Sequence, residues 1–238
     1  MISATEPRTN TMTEFRTNSS VLCEVLSLKG LHVADIGSGD GTLVRFMTGQ
    51  GAHVTGLECG AAQLEKARSY ALEGDEVYLE GSGQEMPFGD ASYDVVIFFN
   101  SLHHVPVEYM SQALAETRRV VRPGGTIYVA EPVAAGSGFE LHAPIDDETS
   151  VRSAAYEAIR DAVAGGLIEV REISYHTTYS YENFAAFKDE TIRIDPRRRE
   201  PFEAMETDLI GLFDKLGIAD EKGMRFEQPM RVNVLERA

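Results

Sequence analysis

Two kinds of apolar pattern take turns along the first 132 residues of this chain. Short, nearly unbroken apolar runs lie at residues 31–36, 53–57, 77–80, 93–99 and 126–130. They predict strands, because a strand covered on both faces has little polar alternation. Between them the apolar positions fall three or four apart. The spacing of Leu43, Phe46 and Met47 predicts a helix stopped by Gly51, and residues 61–72 and 107–121 predict two more. An earlier helix is expected within residues 11–28, from Phe15, Val21, Leu22, Val25 and Leu26, with Gly30 as its stop. Residues 1–10 are expected to be disordered. Pro123-Gly124-Gly125 reads as the turn into the strand at 126–130.

The rhythm breaks after Pro132. Residues 133–150 read as loop, with Gly136, Gly138 and Pro144, and residues 150–163 as a helix. A long strand is expected at 168–181, helices at 181–191 and 201–216, and a last strand at 224–235. Alternating strands and helices predict an α/β fold whose mostly parallel sheet is covered on both faces. Residues 1–28 are read as tail and helix, 29–132 as a nucleotide-binding core, and 133–238 as substrate-side lid elements and closing strands of the same domain.

Composition narrows the function classes. Hydrophobic residues make up 43% of the chain and charged residues 25%, ordinary values for a buried core with a solvated surface. The formal net charge is -16, a field that repels phosphate backbones and anionic lipid. No nucleic-acid or membrane partner is therefore expected. The one dense basic patch is Arg197-Arg198-Arg199 with Arg193 nearby, a solvated loop or a contact for an acidic substrate. Two cysteines, Cys23 and Cys59, offer neither metal-ligand spacing nor a disulfide framework, so no metal is expected. The polar first twenty residues lack a secretory core, and no apolar run reaches membrane-spanning length. A cytoplasmic location follows as the expectation.

The chemistry concentrates in Val33-Ala34-Asp35-Ile36-Gly37-Ser38-Gly39-Asp40-Gly41-Thr42, where a first strand gives way to a helix. Glycines there let backbone approach a ligand, and the helix start offers free N–H groups to an anion. The spacing is G-x-G-x-G. The dinucleotide pattern needs a small residue at the place of Thr42, which disfavours a dehydrogenase. Glu58 ends the second strand, where a carboxylate accepts hydrogen bonds from ribose hydroxyls and repels a 2'-phosphate.

With these stretches, and with residues 80–88, 93–105 and 120–125 in order behind them, the chain resembles the class I S-adenosylmethionine (SAM) dependent methyltransferases, in the small-molecule branch called methyltransferase type 11. The likeness covers residues 28–132 well. It implies a Rossmann-like doubly wound sheet of seven strands, one antiparallel, with lid elements. It also implies SAM as cofactor, S-adenosylhomocysteine as product and a small-molecule acceptor. A homodimer is left open. By the same resemblance Asp35, Gly37, Ser38 and Gly39 surround the methionine part of SAM, with Asn100 facing it. Glu58 holds the ribose, Cys59 lies against the adenine, and Ser82, Gly83 and Gln84 stand in the segment that contacts the adenine amino group. The chain departs from the family there, with Ser82 in the place of an Asp, Gly83 in that of an Ala and Gln84 where Glu is common.

His103 and His104 follow the fourth strand and are the candidate general bases, since histidine titrates near neutral pH. Packing or hydrogen bonding is their other reading, and the more natural one for His142 and His176. Tyr175, Tyr179, Tyr181, Phe184 and Phe187 are pocket lining or core, and Arg16 is a contact for the SAM carboxylate or an exposed helix charge. Two alternatives to methyl transfer stand: a SAM-binding enzyme with other chemistry, and a SAM-binding regulatory subunit without turnover. A serine hydroxyl accepts a hydrogen bond but carries no charge. Ser82→Asp is therefore expected to tighten SAM binding by up to a few-fold in calorimetry, and a weakening would refute the alignment.

Overall fold

The computed structural model describes residues 15–238. The disorder expected for residues 1–10, and the first residues of the helix expected within 11–28, lie outside them. Helix α1 (Asn18–Val25) begins where the Thr17 hydroxyl accepts a hydrogen bond from the Ser20 amide, a side-chain N-cap. β1 (His32–Ile36), α2 (Thr42–Gly49), β2 (His53–Glu58), α3 (Ala61–Ser69), β3 (Val77–Glu80), β4 (Tyr93–Phe99), α4 (Val107–Val120) and β5 (Val121–Pro132) then alternate as expected. They are followed by α5 (Gly136–His142), α6 (Thr149–Ala164), β6 (Leu167–Tyr181), α7 (Phe184–Ile194), α8 (Arg199–Ala204), α9 (Glu206–Leu216), β7 (Ile218–Asp220) and β8 (Gly223–Arg237).

All strands join one sheet in the order β3-β2-β1-β4-β5-β8-β6, with β7 paired to β8 off that path. β1 to β5 pair in parallel, and β8 runs antiparallel to β5, β6 and β7. This is the expected doubly wound sheet, with eight strands instead of seven. The extra one, β7, has three exposed residues folded back on β8 as a hairpin. So short and exposed a strand leaves no apolar run to find.

Alternate residues of the central strands feed two layers, as a pleated strand requires. Val95 and Ile97 pack under α1, α2 and α3 with Leu22, Met47 and Leu64. Val96 and Phe98 pack against α4 and α6 with Met110, Leu114 and Ile159. Among the described residues no helix is long and apolar enough to cross a membrane.

A third layer lies off the end of the sheet. β5 leaves β8 at the pair Pro132 and Met230, whereas β6 and β8 stay paired out to Tyr181 and Met224. The two long strands thus project as a ribbon past the carboxyl ends of the parallel strands. A two-stranded ribbon is marginal in water by itself. Here α5, α7, α8 and α9 cover it, around Leu141, Tyr181, Phe187, Phe202, Phe213 and Phe226. Residues 133–150, expected as loop, contain α5. Its glycines are packing devices: a Cβ on Gly138 would stand 3.1 Å from the Glu227 carbonyl oxygen on the ribbon. The helix expected at 201–216 is two helices, broken at Met205.

Phe187 is fully buried and its ring meets those of Tyr181, Phe184, Phe202 and Phe213. Phe187→Ala is expected to cost about 3–5 kcal/mol, read as a lowered denaturant midpoint, with the loss confined to the lid by hydrogen exchange.

Candidate functional site

β1 ends at Ile36, and the chain bends sharply before α2. The amides of Gly37 and Ser38 both donate to the Leu57 carbonyl, at 2.8 and 3.1 Å, which locks the bend onto β2. Gly37 (φ 73°) and Gly41 (φ 75°) lie in the left-handed region that disfavours side chains. Space forbids side chains there as well. A Cβ on Gly37 would fall 2.6 Å from the Ser101 Cβ, and one on Gly41 2.5 Å from the Tyr78 ring.

Glu58 reaches this bend from the end of β2. One carboxylate oxygen accepts from the Gly39 amide at 2.8 Å and the other from the Gly60 amide at 2.7 Å. Asp35 is buried just before the bend. Desolvation, then the charge of Glu58, pushes its pKa up to about 7. Two buried side-chain oxygens here, Ser38 Oγ and Asn100 Oδ1, have no hydrogen-bond partner among the described residues. Asn100 itself has φ 52°, rare for a residue with a side chain. A buried polar atom without a partner is costly. These two oxygens gather with the carboxylates of Asp35 and Glu58, the latter already accepting from two amides, where β1, β2 and β4 end. A positively charged ligand carrying N–H or O–H groups fits that donor and acceptor set.

The segment holding Ser82, Gly83 and Gln84 is brought beside the same strand ends. A Cβ on Gly83 would lie 3.1 Å from the Ile36 side chain. α4 fixes the segment. Gln112 donates to the Gln84 carbonyl at 2.9 Å, Glu116 accepts from the Met86 amide at 3.1 Å, and Arg119 donates to the Phe88 carbonyl at 2.7 Å. Cys59 follows Glu58 at the surface. Its thiol pKa is raised by partial desolvation and by the Glu58 charge.

The loop after β4 is tied down by a residue that sequence reasoning missed. The buried Glu131 carboxylate, near the end of β5, accepts from the amides of Ser101 and Leu102 at 3.2 and 2.8 Å. Its other oxygen pairs with Nδ1 of His103. His103 is therefore buried and held by its ring, while its neighbour His104 reaches the surface. The His104 pKa is lowered, first by desolvation and then by His103. Glu131 follows directly on the apolar run at 126–130, and nothing in the spacing links it to His103. His103, His104 and Glu148 bring possible metal-ligating atoms within 4.8 Å of one another. Arg152, however, already holds Glu148 at 2.7 Å.

Of the other candidates, Arg16 and His176 line a cavity beside the bend. His142 donates to the Gly138 carbonyl inside α5. Tyr181, Phe184 and Phe187 belong to the lid cluster, and Tyr175 is core. Arg16 pairs with Glu24. In the basic patch Arg197 pairs with Asp195, Arg198 with Asp146 and Arg199 approaches Glu203. The arginines are thus largely neutralised by neighbours.

A cavity of about 700 Å³ opens next to the bend, lined by Thr42, Leu43 and Phe46 of α2, Phe99 of β4, the segment Phe15 to Ser19 and the ribbon at His176 and Arg225. The segment is roofed onto the ribbon by the Arg16 amide, which donates to the His176 carbonyl at 2.8 Å, and by the Tyr175 hydroxyl on Asn18 at 2.7 Å.

Residues 34–129 match a family model described as a methyltransferase domain. Over 107 residues the chain is 35% identical to the 27-O-demethylrifamycin SV methyltransferase of Amycolatopsis mediterranei, covering 43% of this chain and 39% of that protein. Over 113 residues it is 34% identical to the ubiquinone biosynthesis O-methyltransferase of Pseudomonas aeruginosa, covering 45% and 47%. The alignments thus span less than half the length of these relatives. Among solved structures, the YcgJ protein of Bacillus subtilis superposes with a TM-score of 0.60 at 16% identity, over 92% of this chain and 97% of that one. That likeness is one of fold.

Burial pushes the Asp35 pKa up to about 7 in the folded state, against an ordinary value of 3.8 when unfolded. Between these values the folded state binds the extra proton, so stability falls as pH rises through the window. Asp35→Asn removes the titration. In the ligand-free protein the variant is expected to gain on the wild type by a few kcal/mol from pH 4 to pH 8, read from denaturant midpoints. A constant gap would refute the raised pKa.

Proposed function

We propose that this chain, which carries a class I SAM-dependent methyltransferase domain over residues 34–129, methylates a small-molecule acceptor. Residues 29–132 serve as the SAM-binding core, residues 133–238 as lid elements and closing strands, and residues 1–28 as tail and helix. One observation carries the reading. The glycine bend, the acid pair Asp35 and Glu58, and the unpartnered oxygens of Ser38 and Asn100 meet at the carboxyl ends of β1, β2 and β4, where open α/β sheets bind ligands.

Asp35, Gly37, Ser38, Gly39 and Asn100 would hold the methionine part of SAM, and Glu58 the ribose. Cys59, Ser82, Gly83 and Gln84 would border the adenine. When bound, the cofactor supplies an electrophilic methyl group on sulfur. The protein's own work is alignment and water exclusion. Glu131 fixes the loop after β4, and through it the place of Asn100. His103, locked on Glu131, acts as a positioning residue. His104, whose lowered pKa keeps its ring neutral at physiological pH, is the candidate to accept the acceptor's proton. A compact acceptor suits a chain of net charge -16 better than a polynucleotide does. The two free, exposed thiols suit a cytoplasmic location.

Incubation with methyl-labelled SAM and a panel of hydroxylated small molecules tests the reading. Label transfer is expected, with Glu58→Ala weakening S-adenosylhomocysteine binding at least ~10-fold through loss of a charged hydrogen-bond acceptor. Binding without transfer across the panel would favour a SAM-binding protein of other chemistry. His104→Ala should slow single-turnover transfer strongly and lose the dependence on pH, whereas an unchanged rate would remove His104 as the base.

A further inference from the structure

The acceptor's chemistry is marked by a cation with no counter-ion among the described residues. Acidic residues outnumber basic ones 38 to 22 in this chain. Many of its arginines accordingly find carboxylates: Arg16 and Arg171 share Glu24, Arg122, Arg152 and Arg197 each have one, and Arg119 and Arg198 each face two. Arg231, whose Nε is also without a partner, lies 3.3 Å over the Tyr156 ring. Arg225 forms no ion pair and no side-chain hydrogen bond among the described residues, and its Nε is buried without a partner. It lines the cavity beside the glycine bend, 5.9 Å above the Phe15 ring. A half-buried guanidinium left unpaired amid surplus carboxylates is unfavourable unless something else pairs with it.

The surroundings specify that partner. Leu43, Phe46, Phe99 and Phe15 give the cavity an apolar and largely aromatic wall, and Thr42 and Phe99 adjoin the bend and Asn100 in sequence. His176 also lines the cavity, and its Nδ1 is buried without a hydrogen-bond partner among the described residues. Arg16 is neutralised by Glu24, and Glu227 lies 3.9 Å from His176 rather than on Arg225. A flat apolar molecule can fill the space, with an acidic group at the ribbon end meeting the planar fork of Arg225, which matches a carboxylate. We propose that the cavity takes the methyl acceptor and that this acceptor is an apolar, ring-bearing carboxylate held by Arg225. The proposal rests on the cofactor reading above. It also explains how a strongly acidic protein admits an anion: a cation without a carboxylate partner among the described residues lines the cavity.

The probes are 1-pyrenebutyrate and the neutral 1-pyrenebutanol, titrated by fluorescence into protein saturated with S-adenosylhomocysteine. The acid is expected to bind at least about 10-fold tighter than the alcohol, the worth of one charged hydrogen bond. Arg225→Gln should erase that preference and Arg225→Lys restore part of it, with S-adenosylhomocysteine affinity by calorimetry within two-fold of wild type. Phe46→Trp, which fills the cavity without touching the cation, should weaken both probes alike and so checks the location if Arg225→Gln does not fold. Equal affinity for acid and alcohol overturns the proposal. So does an Arg225→Gln variant that loses the homocysteine product instead of the acid, since Arg225 would then serve the cofactor. If wild-type protein gives no heat with S-adenosylhomocysteine, the cofactor reading itself fails.

Discussion

The carboxyl edge of the sheet is organised by a competition for volume between β1 and its neighbours. Ser101 and Tyr78 occupy the positions where side chains of residues 37 and 41 would stand. Only a bare backbone can pass between them. That bare backbone lets Ser101 approach closely enough to donate its hydroxyl to the Ile36 carbonyl at 2.6 Å. It also lets Glu131 gather the Ser101 and Leu102 amides from the far side. Three strand ends are thereby interlocked through β1, the loop after β4, and β5. Glu131 is a buried charge, expensive unless fully bonded, and its two amides and the His103 ring compensate it. Charge-assisted bonds of that kind are the strong ones, so the loop carrying Asn100 is held in its unusual backbone conformation rather than left free.

The cleft built on this frame is electrically polarised. Asp35 and Glu58 lie close enough for one to raise the pKa of the other, while Arg225 stands unbalanced at the ribbon end. The mostly apolar cavity runs from the start of α2 to the ribbon at Arg225. A low-dielectric wall between opposite charges sharpens both fields. Such an arrangement sorts ligands by the sign of their charge as well as by their shape. A cationic cofactor and an anionic acceptor would be drawn to different ends.

Much of this was legible in the chain, because local pattern and global role agree in the first half. The strands at 31–36, 53–57 and 93–99 are buried on both faces and read as plain apolar runs. The bend and Glu58 are neighbours through adjacent parallel strands, a relation the alternation implies. What stayed hidden depends on distant pairs. Glu131 meets His103 across 28 positions, and Arg225 is notable only for a partner it lacks, which no spacing records. α5 was masked by glycines whose purpose is close packing on Glu227. β7 was too short and too exposed to leave a periodicity. Arg16 and the 197–199 arginines looked like free charge until their carboxylates came into view.

The position of β8 carries a consequence for assembly. The strand that comes last in the chain lies between β5 and β6 rather than at an edge. During synthesis β6 has only the bridge from Phe15 to His176 until residues 223–237 have emerged. The earlier half, by contrast, can pair its five parallel strands as they appear. The ribbon, the aromatic lid and the wall bearing Arg225 therefore arrive together, in one closing step that slots a strand into a waiting gap. Non-local pairing of this kind is slow and leaves strand edges exposed meanwhile. A nascent chain stalled before that step would hold a formed glycine bend with an open, adhesive flank.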